Sequence, residues 1–442
     1  MAEETKEVQC VDWRRCFAFL EILRSFRMAI HPAKIFLCLI GLGASLGIGV
    51  LVDQFDAPVG HTNVRIGTTN VLDYLLNTGL LGPEGRTSFY DNVRFTVTKT
   101  LWGQWALPYV GGKTWDEFVS FLVSPLSAAR DAIALGVAYW REAPLFALIT
   151  TVLWLAIWAL IGGAVTRMSA VRIAREEGVP LKKALGFSFR KWPSIVASPL
   201  IPFGVLVFLA ILVALPTGLI LMIQYAGEVL VGVFWGLTIV MGLLLALVFI
   251  GGVFSVGLQW PTIAVEGSDS FDAISRSISY ISSRPWRYLF FTGFSAAYGC
   301  LTFLFVKFVT FLALWITHTS VGMFTWGGGE GAKKLDNLWA APTLADPWPL
   351  AGPMVPGSAV SWATYLFQAW GWIALGFMVA FLVSFFFTSQ TVIYFLLRRN
   401  VDSTDMEEVY VEESEEEPLP LEPKAEESQP VKVEEAEEEK AE

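Results

Sequence analysis

The sequence predicts an all-α protein embedded in a lipid bilayer. Three observations carry this. Six apolar stretches each reach or exceed the roughly 20 residues that a helix needs to cross about 30 Å of hydrocarbon. The 442 residues are 54% hydrophobic, with 18 Trp, 33 Phe and a mean hydropathy of +0.53, outside the range of soluble domains. Finally, a short basic segment precedes the first, third and fifth stretches. Because hydrocarbon offers no water to backbone N–H and C=O groups, runs of this length cross it only as helices.

The stretches occupy 33–52, 143–165, 196–222, 229–258, 288–315 and 366–397. They predict a polytopic bundle of six spans, read as three pseudo-repeats of an interfacial helix plus a helical hairpin. A cytoplasmic amphipathic segment at 1–32 leads into a membrane domain at 33–397. The first stretch follows more than 30 residues, outruns a signal h-region and lacks a small-x-small cleavage site, so it reads as a permanent helix.

Lys and Arg set the orientation. Segments 1–34, 168–195 and 259–287 hold 6, 6 and 3 of them, whereas 53–142, 224–228 and 318–365 hold 7, 0 and 2 in a longer total length. Basic residues stay on the cytoplasmic side, which places the first set and both termini inside.

Each basic segment has an apolar row. Trp13, Phe17, Leu20 and Leu23 stand against Arg14, Arg15, Arg24 and Arg27. Leu181, Ala184, Leu185, Ser188 and Trp192 stand opposite Lys182, Lys183 and Arg190, and Phe271, Ile274, Ile278 and Ile281 follow a 3-4-3 spacing. Each then meets a proline, in His31-Pro32-Ala33-Lys34, Lys191-Trp192-Pro193 and Arg284-Pro285-Trp286-Arg287, which predicts a bend from a helix lying on the membrane to one crossing it. Arg24, Arg27, Lys34, Arg190, Lys191, Trp192, Arg284, Trp286 and Arg287 are therefore the candidate interface or headgroup contacts. Plain anchoring of the spans accounts for these residue types as well as recognition of anionic lipid does.

Copies two and three share Glu-Gly followed six residues later by Ala, at Glu177-Gly178 to Ala184 and Glu266-Gly267 to Ala273. With the Pro-Trp entries, these loops resemble bacterial six-span membrane proteins related to the membrane domain found ahead of glycerophosphodiester phosphodiesterases. The match covers the loops Glu177-Gly178 to Pro193 and Glu266-Gly267 to Trp286 and their neighbouring spans. It implies a multi-pass protein of a bacterial cytoplasmic (inner) membrane. The 442 residues carry no soluble catalytic domain of that kind, so the resemblance implies no activity.

Within the spans, Gly43 and Gly47, and Gly232 and Gly236, form small-x-x-x-small pairs that predict close helix packing. Pro199, Pro202 and Pro216 predict either kinked packing or a discontinuous helix in the third span. The first four spans hold no ionisable residue in their interiors. Lys307 in the fifth counts to about 29 Å from Tyr288, where it reaches outer water by snorkelling. The sixth offers the neutral Gln368, Ser384, Ser389 and Gln390. Proton or sodium coupling has little support from these residues.

Apparent motifs fail on context. Gly43-Ala44-Ser45-Leu46-Gly47 spells a nucleophile elbow inside a span, and Gly41, Gly43 and Gly47 mimic a dinucleotide loop with one residue too many. Gly112-Lys113-Thr114 ends like a P-loop, but position 107 is Leu. His31, His61 and His318 are scattered, and Cys10, Cys16, Cys38 and Cys300 lack zinc-ligand spacing. No catalytic, cofactor-binding or metal-binding residue is expected, and no cofactor.

Outside the spans, Thr114 and Glu117 form a capping box and 93–102 reads as a strand, so the extracytoplasmic insertion 53–142 forms a cap or packs onto the spans. Loop 318–365, also outside, holds Trp326, Trp339, Trp348 and Trp362 at headgroup level. The tail 398–442 is strongly acidic: from Val401 it has a net charge of −15, which leaves +5 for the rest and predicts a disordered cytoplasmic segment. Expected partners are membrane lipids, with proteins through the tail or extracytoplasmic loops, and no nucleic acid. These features favour a non-enzymatic scaffold or partner subunit in envelope or lipid organisation. A permease or lipid transporter with a path between the pseudo-repeats is the alternative.

Overall fold

The computed structural model describes residues 17–54, 140, 144–325, 335, 339, 341, 342 and 359–410. Trp13, nearly all of the 53–142 insertion with its capping box and strand, much of 318–365 and the tail beyond Tyr410 lie outside the described residues. Within them every element is helical.

A 3-10 turn, Ala18–Leu23, runs into α1 (Arg24–Ala29) and then α2 (Pro32–Gln54). Next come α3 (Pro144–Arg175), α4 (Leu181–Arg190), α5 (Trp192–Leu221) and α6 (Ala226–Glu266). α7 (Ser270–Ser283), α8 (Pro285–Met323) and α9 (Ala359–Val401) complete the chain. Five helices are long and apolar enough to cross a membrane; a sixth crossing counts when Ala18–Ala29 and Pro32–Ser45, bent by 73° at the break before Pro32, are taken together. Proline disfavours helix in the preceding residue, which explains the break at His31. α5, by contrast, runs on through Pro199, Pro202 and Pro216 as one helix, so the discontinuous helix is absent from this span.

α3, α6 and α9 pack on one another and form the centre. α2 lies against α3 and α9, α5 against α3 and α6, and α8 against α9. The core concentrates at the end where α1, α4 and α7 gather, hereafter the basic end. There Ala170 of α3, Leu258 and Val265 of α6 and Ile393 to Leu397 of α9 share one cluster with Ile22 and Phe187.

α4 docks with the row named from the sequence, through Ala184 and Ser188, whereas α7 and the N-terminal segment dock with residues outside theirs. On α7 the buried residues are Ser270, Ala273, Ser277 and Tyr280, while Phe271 of the apolar row is 69% exposed. On α4 they are Ala184, Phe187 and Ser188. At the N-terminal segment Ile22, Ser25 and Ala29 are buried, and Phe17, Leu20 and Leu23 face outward. Each docked row contains a small-x-x-x-small pair, Ser25/Ala29, Ala184/Ser188 and Ala273/Ser277, which lets backbones approach closely. The Ser188 hydroxyl donates to Leu160 O at 2.6 Å and the Ser384 hydroxyl to Ala29 O at 2.8 Å, while the Ser277 and Thr262 hydroxyls lie 3.3 Å apart.

Among the described residues, the four glycines expected to mediate packing show no close approach. A Cβ added at Gly43, Gly47, Gly232 or Gly236 meets nothing within 4 Å among the described residues. These positions face away from the bundle. The tight glycines are Gly162, whose added Cβ would lie 2.5 Å from Trp260 and 2.7 Å from Phe387, and Gly163, where it would collide with Ser188. Trp260 and Phe387 stack there with ring centroids 5.4 Å apart, so neither can withdraw freely.

Gly162→Leu is expected to destabilise the detergent-solubilised protein by about 1–3 kcal/mol through overpacking, whereas Gly236→Leu leaves it unchanged. Thermal midpoints of the two variants check this directly. Equal midpoints would remove Gly162 from the packing account.

Candidate functional site

Polar and charged groups collect at the basic end. α6 closes there with Gly267 in the left-handed region (φ 65), a C-terminal position that glycine fills without strain. That turn holds Glu266 among α7 and α9. Its carboxylate pairs with Arg276 at 2.5 Å and Arg398 at 3.5 Å and accepts from the Tyr394 hydroxyl. Arg276 also pairs with Asp272, Tyr280 donates to Asp402, and Arg398 reaches Glu408. Burial, reinforced by the bond to Asp402, holds the Tyr280 phenol above its ordinary pKa. Asp402 and Glu408 belong to the expected disordered tail, so its first residues are instead fastened to the bundle, with Met406 and Val409 packed against the core. The paired tyrosines and arginines offer those residues partners that composition alone did not reveal.

In the second copy the corresponding turn differs. α3 ends at Arg175 and Glu176 takes the left-handed conformation (φ 57), two residues ahead of Gly178. Glu176 pairs with Arg24 at 2.9 Å, and Glu177 is exposed. The two Glu-Gly motifs therefore sit at different places in their turns.

Lys34 lies on α2, one turn inside the membrane-facing helix. Expected at headgroup level, it is 3% exposed. Its ammonium donates to the Ser169 hydroxyl of α3 at 2.8 Å and to Thr388 of α9 at 3.3 Å. The bend at His31 turns the side chain inward between those helices. Beside it Arg27, His31, Arg172 and Gly178 line a small crevice of about 30 Å³, with Met28, Met168 and Val179 as its apolar wall. No ion pair joins Arg27, His31, Lys34 or Arg172 to a carboxylate among the described residues. Partial burial, then the Lys34 and Arg172 charges, hold the His31 imidazole below its ordinary pKa.

Arg167, two residues past the end of the second apolar stretch, is 1% exposed. Its guanidinium donates to Ala264 O at 2.9 Å and lies 4.6 Å from the Phe187 ring centre. A sequence reading that ends the span at the last apolar residue misses it; the helix itself continues to Arg175. Lys307 is also buried, at 3% exposure, rather than snorkelling outward, because α8 runs 16 residues further, to Met323.

The other candidates are dispersed around the basic end. Lys191 donates to Gly267 O, Trp192 to Ala156 O at 2.9 Å, and Arg287 to Asn400 at 2.6 Å. Arg190, Arg284 and Trp286 are exposed, Trp286 at 82%. Of the candidates, Arg27 and Lys34 line this recess together, and the two groups that complete it, His31 and Arg172, carried no such expectation.

Away from this end, Trp140, α3, α5 and α6 border an open apolar pocket of about 560 Å³, lined among the described residues by Leu148, Thr151, Leu155, Phe203, Val253 and others. No family model, curated protein or solved structure matches the chain.

Glu266→Gln is expected to lower stability by about 2 kcal/mol, since it removes the charge that two guanidinium groups share in a nearly buried setting. Glu177→Gln, on the exposed copy of the motif, is expected to change it by less than about 0.5 kcal/mol. Thermal unfolding of the two single variants separates these outcomes, and a matching response from both would dissolve the distinction between the turns.

Proposed function

We propose that this chain is a non-enzymatic scaffold or partner subunit in the organisation of a bacterial envelope or its lipids. The basic end faces the cytoplasm, as its excess of Lys and Arg favours. The observation that carries the reading is the commitment of polar groups at the bundle centre to helix–helix contacts. Arg167 holds α6 through Ala264, Ser188 holds α3 through Leu160, Ser384 holds α1 through Ala29, and Glu266 ties α6 to α7 and α9. Groups engaged in this way fix a shape.

The three-unit reading has further support in the docking order. α4 packs on α3 and α7 on α6, each on the span before it, while α1 packs on α9, which closes the set. The exposed Phe17, Leu20, Leu23, Phe271 and Trp286 suit an interfacial layer that fixes the depth of the spans.

A lipid transporter is the second reading, and the open pocket bordered by α3, α5 and α6 favours it. At about 560 Å³ it falls within the roughly 300–1,000 Å³ of small-molecule sites, and its lining suits hydrocarbon rather than a headgroup.

Vesicles reconstituted with the protein and a fluorescent phospholipid decide between the two. Scaffolding predicts lipid redistribution between leaflets at the rate of protein-free vesicles; a rate at least tenfold faster would replace it with transport. On intact cells, a C-terminal tag is expected to stay unreactive toward an impermeant reagent, and labelling there would invert the topology.

A further inference from the structure

We infer that the crevice of Arg27, His31, Lys34 and Arg172 is a binding seat for a phosphate group, presented by a lipid headgroup or by a soluble phosphate. It goes beyond the scaffold reading and borrows from it only the placement of the basic end at a membrane surface. The first argument is charge. Three other cations at this end have carboxylate partners, Arg24 with Glu21 and Glu176, Arg276 with Glu266 and Asp272, and Arg398 with Glu266 and Glu408, while Lys191, Arg287 and Arg167 donate to a carbonyl or amide oxygen. In the crevice two guanidinium groups, the Lys34 amine and an imidazole converge, and no described carboxylate pairs with any of them. Guanidinium groups cannot shed their charge, so a recess that gathers two of them beside an amine and an imidazole, with no described carboxylate, suits an anion from outside.

The second argument is geometry. An ammonium has three N–H donors, and Lys34 gives two to Ser169 and Thr388, which leaves one for the recess that its side chain lines. Those two hydroxyls fix the amine in place. The Arg172 guanidinium lies against Gly178, 3.8 Å from where a Cβ would stand, so a larger residue there would crowd it. The recess also opens at the N-terminal, positive end of α2. Its volume of about 30 Å³ matches roughly two water-sized oxygens, each needing about 10–15 Å³. Two oxygens of a phosphate fit there, with the rest of the ligand outside between the exposed Arg27 and His31. Arginines contribute the paired donors that suit such oxygens.

Full-length protein in detergent micelles provides the test, read by intrinsic tryptophan fluorescence. It is titrated with inorganic phosphate, and separately with phosphatidic acid or phosphatidylcholine added to the micelles. Saturable binding of inorganic phosphate, of phosphatidic acid or of both is expected, with no response to phosphatidylcholine alone. Phosphate alone identifies a soluble ligand, phosphatidic acid alone a headgroup, and competition between them a common seat. Arg27→Gln combined with Arg172→Gln should weaken binding at least tenfold, as loss of two charge-assisted contacts implies. Neither arginine has an ion pair to lose, so this variant keeps its thermal midpoint. Arg287→Gln, a basic residue of the same end outside the crevice, should stay within twofold of the parent. Lys34→Met, which keeps the length of the side chain, should abolish saturation.

Absence of saturable binding by either phosphate probe would overturn the proposal. So would an Arg287→Gln effect as large as that of the double variant, because diffuse surface charge would then explain the affinity. Failure of the phosphatidic acid arm alone would count against the membrane placement of the scaffold reading, while the phosphate arm would still uphold the seat.

Discussion

Close approach between short helices and the central spans is the constraint on which the basic end depends. Without a hydrophobic drive between helices in lipid, contact must come from packing area and hydrogen bonds, and both grow as backbones come nearer. Ser25/Ala29, Ala184/Ser188 and Ala273/Ser277 present side chains small enough for that approach. The Ser188 hydroxyl then reaches the Leu160 carbonyl of the neighbouring helix, and the Ser277 hydroxyl lies 3.3 Å from that of Thr262. A leucine at any of these places would push the short helix outward and withdraw the groups behind it. For α7 those groups are Arg276 and Tyr280, which bring Glu266 and the start of the acidic tail into one network.

Charge at this end is arranged in two unlike ways. Around Glu266, carboxylates, guanidinium groups and phenols answer one another, and the network closes on itself. Around Lys34, hydroxyls position an amine without neutralising it. Structural ion-pair networks of the first kind are common, and removing one member disturbs the rest. The second kind retains positive potential in a partly enclosed recess, where it is screened less than at an open surface.

The helical class and the apolar spans were legible in the sequence because hydrocarbon imposes length and composition so strictly. The direction of docking was legible for α4, which buries Ala184 and Ser188 of its named row, but not for α7 or the N-terminal segment. An apolar row at helical spacing normally marks the buried face, and that rule assumes water on the other side. Phe271, 69% exposed, faces outward because lipid can receive it, and Ser277 faces protein because its hydroxyl cannot be left in lipid. The same confusion displaced the glycines. Gly232 and Gly236 have the right spacing on a helix that turns them away, whereas Gly162 and Gly163 stand next to each other and match no familiar pair. Lys34 and Arg167 were misplaced for a third reason. Hydropathy marks where apolar residues stop, but the helices continue, and the buried cations occupy that continuation.

The docking order also has a bearing on biosynthesis. α4 and α7 each meet a helix that has just been made, so their small rows are covered as soon as they emerge. α1 has no such neighbour: Ser384, which caps its carbonyl at Ala29, follows 355 residues later in the chain. α1 must therefore wait, with Ser25 and Ala29 uncovered, until α9 is inserted. A ribosome that stops before α9 leaves α1 without its partner, its small residues uncovered for quality-control proteases to find.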